Sequence, residues 1–200
     1  MKSLTHNHFQ KTAFIIVVTL VFATVSSGIF SRQAEAAKKD VLVVARAMDI
    51  NSLDPHIAFC DTCKVVIGMM YETLIKLGAD NKTILPQLAR NWEVSGDGMT
   101  YTFYLDEYAV FSDGSPVESK DVKFTIERWQ NLKQDSSMYA KSISKVDASD
   151  PRKVVITVSN WPSELLGQLA VPYAGIINSD VARANGAVST ADAPKKDKAE

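Results

Sequence analysis

Two Asp-Gly pairs, Asp97-Gly98 and Asp113-Gly114, fence a run whose side chains alternate in character. From Met99 to Leu105 the odd positions are Met99, Tyr101, Phe103 and Leu105, and the even ones are Thr100, Thr102 and Tyr104. Strand side chains change face with every residue, so this run predicts a strand with one apolar, core-directed face. Ser95-Gly96-Asp97-Gly98 supplies residues that tolerate positive φ and predicts a tight turn, with Trp92 and Val94 pointing one way on the strand before it.

Further elements follow from the same rules. The β-branched run Val41–Arg46 predicts a buried strand. Cys63, Ile67, Met70, Leu74 and Leu77 recur at three- and four-residue steps and predict a helix capped by Asp61 or Thr62, with the turn residues of Gly78–Lys82 ending it. Residues 109–116 predict a further short strand running into the second Asp-Gly turn. Residues 118–129 predict a helix with Val122, Ile126 and Trp129 on one face. A strand over 151–162 closed by Pro162, a short helix over 163–170, a strand over 174–180 and a helix ending at Gly186 complete the pattern. The charged residues between Lys120 and Lys145 read as a solvated face, and Trp129 and Trp161 as packing residues. The result is a mixed α and β chain.

The first 36 residues read differently. A polar opening with Lys2 and Lys11, an apolar core from Ala13 to Val25, and a small-x-small site at Ala34-Glu35-Ala36 have the layout of a secretory signal peptide cleaved after Ala36. The core is short for a membrane span, and no Cys near the cleavage point offers lipid attachment. Cleavage leaves 164 residues with a net charge of −3, which gives the chain no electrostatic reason to seek nucleic acid. It also removes His6 and His8, so His56 is the one histidine left and a multi-histidine metal site is excluded. No HExxH, GxSxG, GxxxxGK[ST] or GxGxxG occurs. No catalysis, cofactor or metal is expected.

Cys60 and Cys63 form one CxxC in a chain read as exported, where a disulfide is the default. A redox pair, or half of a metal site with His56, are the alternatives.

The order of turns says more than any single motif. Pro86, Leu88-Ala89, Trp92-Glu93-Val94, Asp97-Gly98, Tyr101-Thr102-Phe103, Phe111-Ser112-Asp113-Gly114-Ser115-Pro116 and Asp121-Val122 follow one another in a fixed series. With Ser52–Pro55 (SLDP) and Tyr71–Leu74 (YETL), this series resembles the family-5 extracellular solute-binding proteins, the dipeptide- and oligopeptide-binding proteins of ABC importers. Leu105-Asp106 stands where the family usually has Leu-Arg, and Glu118-Ser119 where it usually has Thr-Ala.

The resemblance implies a periplasmic-binding-protein-like mixed α/β fold, two-lobed when complete, of which this chain is an N-terminal fragment. Residues 37–72 would start lobe I, 73–172 would form the adjoining sub-lobe of hairpins and helices, and 173–200 would re-enter lobe I and stop. The function it implies is an extracytoplasmic, periplasmic, monomeric solute-binding component that captures a peptide-like ligand and delivers it to ABC permease subunits. A metal chelate, haem or sugar cargo is the alternative, with a secreted CxxC thiol oxidoreductase further off. Matched position by position, Phe59, Cys60, Asp61 and Tyr139 fall on ligand-lining stretches. Asp61 is suited to face a ligand ammonium or to cap the following helix. Phe59 and Tyr139 are suited to stack on ligand groups or to pack.

Overall fold

The computed structural model describes residues 43–160 and 164–198. The leader over 1–36 and Trp161 lie outside the described residues. The chain divides into two units, 1–45 and 46–200. Val43–Arg46 carries no regular structure, and Val43 and Val44 are exposed, so the strand expected over Val41–Arg46 is not found in its described part. A strand exists by pairing, and no described ladder includes these residues.

The second unit is organised by the predicted hairpin. β3 (Ala89–Val94) and β4 (Thr100–Leu105) pair antiparallel, with Trp92 opposite Phe103 and Val94 opposite Tyr101. Between them the Gly98 N–H donates to the Ser95 carbonyl at 2.8 Å, and Gly98 sits at φ 72°. That left-handed conformation is the one glycine adopts without a Cβ clash. The Asp97 carboxylate holds the turn by accepting from the Ser95 hydroxyl and the Met99 N–H. The alternation is realised residue by residue: Tyr101, Phe103 and Leu105 are buried and Thr100, Thr102 and Tyr104 are half-buried.

β4 pairs on its other side with β6 (Lys153–Val158), and β6 with β5 (Ile143–Asp150), giving an antiparallel sheet of order β3-β4-β6-β5. Phe103 faces Val154 and Tyr101 faces Ile156 across the ladder. α2 (Ser119–Leu132) covers the sheet with Val122, Ile126 and Trp129, all buried in one core with Phe103 and Ile156. Its start is a capping box: the Glu118 N–H donates to the Asp121 carboxylate at 2.9 Å.

Other boundaries differ from the sequence reading. α1 (Asp61–Met70) stops seven residues short of Leu77. Tyr71 is extended, and Ile75–Leu77 becomes β1, paired with β2 (Ile84–Pro86). The Thr73 and Leu74 carbonyls accept from the Leu88 and Ala89 N–H groups, so cross-chain pairing overrides the helical spacing. Met70 consequently lies exposed while Leu74 is buried.

The strand expected over 109–116 reduces to one bridge, Val110 with Pro116. The strand expected over 174–180 is an unladdered segment: the Ile176 N–H donates to the Glu72 carbonyl and the Ile177 N–H to the Thr125 hydroxyl. α3 (Leu165–Leu169) leads to a 3₁₀ turn, Pro172–Ala174. α4 (Ser179–Ala184), N-capped by Asn178, is followed by Gly186 at φ 92°, and α5 (Ala193–Lys196) comes last.

Candidate functional site

The predicted ligand residues sit where the loop after Pro55 enters α1. Cys60 is the N-cap, extended at φ −157°, and its Sγ accepts from the Cys63 N–H at 3.0 Å. Cys60 and Cys63 are joined as a disulfide. Asp61 is therefore the first residue of α1 and not its cap. Its carboxylate accepts from Lys64 at 3.0 Å and faces solvent. The hydrogen bond from Lys64 holds the Asp61 carboxyl below the usual range.

Phe59 is 37% exposed, and its ring lies 5.3 Å from that of Tyr173. Tyr139, on the 3₁₀ helix Asp135–Ala140, stacks on the same Tyr173 ring at 6.3 Å with 22° between planes. Tyr173 is itself buried, and its hydroxyl donates to the Cys60 carbonyl at 3.4 Å. The structure thus gathers Phe59, Cys60 and Tyr139 around Tyr173, and leaves Asp61 paired to Lys64 outside that group. Offset and tilted ring pairs at these separations are mutually attractive, so Tyr173 fixes the two more exposed rings. Sequence reasoning passed over Tyr173. Its signal was modest: an aromatic directly after a proline that opens a 3₁₀ turn.

A second cluster was read wrongly from sequence. Arg128, assigned to a solvated face, is fully buried, as is Asp121. Arg128 bonds Asp54 in a bidentate pair, Nη1 to Oδ1 at 3.0 Å and Nη2 to Oδ2 at 2.7 Å. It bonds Asp197 in another, Nε to Oδ2 at 2.7 Å and Nη2 to Oδ1 at 3.0 Å. Burial opposes its charge, but the bonds to Asp197 and Asp54 prevail and hold its pKa above the ordinary guanidinium value. The signal was available: Asp121, Thr125, Arg128 and Leu132 run at helical spacing along the buried stripe of α2.

Nη1 of Arg128 also lies 2.9 Å from Nδ1 of His56. A guanidinium only donates, so Nδ1 is the accepting nitrogen and the ring proton sits on Nε2. Nε2 is buried without a well-formed hydrogen bond, although the Gly175 backbone favours its proton electrostatically. Burial is the largest influence on this ring and pushes its pKa down to about 4. His56 is therefore neutral at neutral pH.

An open groove of about 680 Å³ passes Asp54 and Arg128 and is walled by Tyr71, Phe111, Ile176 and Asn178. None of Phe59, Cys60, Asp61 or Tyr139 borders it. The groove and the aromatic cluster are distinct features. No group of three or more potential metal ligands occurs among the described residues, and no described helix is long and apolar enough to cross a membrane.

Comparison with solved structures places this mixed α/β unit in the periplasmic-binding-protein class. Solved structures of that class align with it, including AgaA from A. tumefaciens R10 in complex with agropinic acid, at 30% identity and TM-score 0.63 over 74% of this chain and 29% of that one. NikZ from Campylobacter jejuni in complex with Ni(L-His) aligns at 25% identity and TM-score 0.64, over 72% of this chain and 28% of that one. The chain belongs to the bacterial extracellular solute-binding proteins, family 5, whose middle-region pattern matches residues 83–200.

Curated relatives include the probable D,D-dipeptide-binding periplasmic protein DdpA of Escherichia coli (strain K12), 31% identical over 76% of this chain and 30% of that protein. The glutathione-binding protein GsiB of Salmonella paratyphi A is 32% identical over 84% of this chain and 32% of that protein. The chain thus spans about a third of the length of these relatives.

Proposed function

We propose that this chain contributes to an extracytoplasmic solute-binding protein that captures a peptide-like ligand and delivers it to the membrane permease of an ABC importer, without catalysis. It would be exported to the periplasm by the leader over 1–36 and act as a monomer. The observation that carries the reading is the meeting of Phe59, Cys60 and Tyr139 on the buried ring of Tyr173. Two partly exposed rings on a fixed support offer apolar area to a ligand side chain with little rotamer freedom left to lose. The adjacent loop backbone can pair with peptide groups directly or through water. Asp61 is available to a ligand ammonium only by giving up Lys64.

In this reading residues 37–72 and 173–200 belong to one lobe and 73–172 to the sub-lobe beside it. The four-stranded sheet and α2 fall wholly within 73–172, which supports that division. Arg128 of the sub-lobe would then tie both lobe I segments through Asp54 and Asp197, and ligand would be enclosed when a second lobe closes about a hinge.

Calorimetric titration with a panel tests the reading. Dipeptides, glutathione, agropinic acid and the nickel–histidine complex are suitable members, given what the relatives bind. A peptide should bind best, and Phe59→Ala or Tyr139→Ala should each weaken it about tenfold, roughly 1.4 kcal/mol. Tight binding of the nickel complex or agropinic acid with no peptide binding would overturn the cargo. Unchanged peptide affinity in both variants would overturn the site.

A further inference from the structure

We propose that the Cys60–Cys63 disulfide is an exchange site for low-molecular-weight thiols, with Cys60 as the sulfur attacked. The inference stands on the cysteine pair and its surroundings and does not depend on which solute the protein carries.

The two sulfurs are unequal. Cys63 is fully buried on the core side of α1, whereas Cys60 is only half-buried at its N-terminus. An incoming thiol can therefore reach Cys60 and not Cys63. The pair is separated by three positions in sequence, and so short a loop gains little from cross-linking by chain entropy. The bond is not required as a staple.

Both products of opening find acceptors or donors already in place. The Cys63 N–H, 3.0 Å from Cys60 Sγ, points at the sulfur that carries negative charge when a second thiol displaces it from the mixed disulfide, at the N-terminus of a ten-residue helix. Backbone donors and the helix N-terminus favour a thiolate there. Oδ1 of Asn51 lies 3.0 Å from Cys63 Sγ. A disulfide sulfur has no hydrogen to give it, but a Cys63 thiol does. The neighbouring Asp61 carboxylate opposes a thiolate on Cys60, and its pairing with Lys64 offsets that repulsion. Phe59, directly before Cys60 and 37% exposed, gives a small thiol an apolar surface to rest on.

The thiolate of the incoming thiol forms a bond to Cys60 Sγ. The Cys60–Cys63 bond breaks, its electron pair leaves on Cys63 Sγ, and that sulfur takes up the proton the thiol released. The products are a mixed disulfide on Cys60 and a free Cys63 thiol. A second equivalent of thiol then attacks the mixed disulfide, releasing the oxidised small molecule and leaving the protein dithiol.

The test uses the whole oxidised protein in glutathione buffers that run from mostly oxidised to mostly reduced, at neutral pH without denaturant. After acid quench and alkylation, peptide mass spectrometry assigns each cysteine. The expected result is a dithiol fraction that follows the buffer ratio, with any glutathione adduct on Cys60. In Cys63→Ser, Cys60 should take glutathione from its disulfide at least about tenfold faster than the same cysteine in the urea-unfolded chain. A disulfide untouched in every native buffer and opened only in urea would overturn the proposal, as would adducts on Cys63. If Cys63→Ser fails to fold, the wild-type buffer series decides alone.

Discussion

Removing Asp197 should reveal how much the buried arginine matters. In Asp197→Ala, Arg128 keeps its bidentate pair with Asp54 but loses the bonds at 2.7 Å and 3.0 Å to Asp197, and the Val188 N–H loses its acceptor at 2.8 Å. The Asp197 side chain is 4% exposed and that of Arg128 1%, so water replaces little of this. Removing one partner of a buried ion pair costs about 3–5 kcal/mol when it leaves the other charge uncompensated; here Asp54 still faces Arg128, so the lost hydrogen bonds set the size of the effect. Each lost hydrogen bond to a charged group is worth roughly 1.5–3 kcal/mol, which reaches the same range for two or three of them. We therefore expect about 4 kcal/mol from urea denaturation, read as a lower midpoint at unchanged slope. Adding Arg128→Met to Asp197→Ala should deepen the loss, since the buried Asp54 carboxylate then keeps no guanidinium partner. A single-variant loss below about 1 kcal/mol, the size of an exposed pair, would refute the reasoning.

His56 makes stability pH-dependent in a defined direction. Its folded pKa, about 4, lies below the unfolded value of 6.5, so the unfolded chain binds the extra proton between those values. The contribution is fully present above pH 6.5 and is lost as pH falls towards 4, by about 3 kcal/mol in all; denaturation of His56→Gln across this range should show a flatter profile, and an equal slope would contradict the assignment. Phe103→Ala empties the centre of the sheet's buried face and should cost about 3–5 kcal/mol in the same assay. Gly175→Ala places a Cβ 2.7 Å from the Cβ of Tyr71, so the backbone must shift, and about 1–3 kcal/mol should be lost where an open site such as Gly96 would lose far less.

What could be read in advance was local. The β3–β4 hairpin is encoded by alternation within seven residues and by a glycine that adopts positive φ, and α2 by its stripe of Val122, Ile126 and Trp129. β5 escaped notice because ISKVDASD is mostly polar and buries only Ile143 and Val146; its pairing with β6 makes it a strand, not its own pattern. α1 was overrun because Leu74 and Leu77 keep helical spacing by coincidence while their backbone is claimed by β2 and by Leu88–Ala89. For the Arg128 cluster the place of the arginine on the stripe was legible, but its partners were not. Its partners lie 74 and 69 positions away, and nothing local distinguishes a buried arginine from a solvated one except its place on an apolar stripe. The ligand residues were placed by resemblance, and Tyr173, which gathers three of them, lies more than thirty positions beyond the last of these.

In the proposed reading, ligand meets this chain at Phe59 and Tyr139 on their Tyr173 support. Hydrogen exchange of the protein, with and without the tightest-binding peptide of the titration panel, tests it most directly. Exchange should slow at residues 59–64 and 135–140 on binding. Protection confined to the groove, at residues 110–113 and 176–182, with residues 59–64 and 135–140 unchanged, would contradict it.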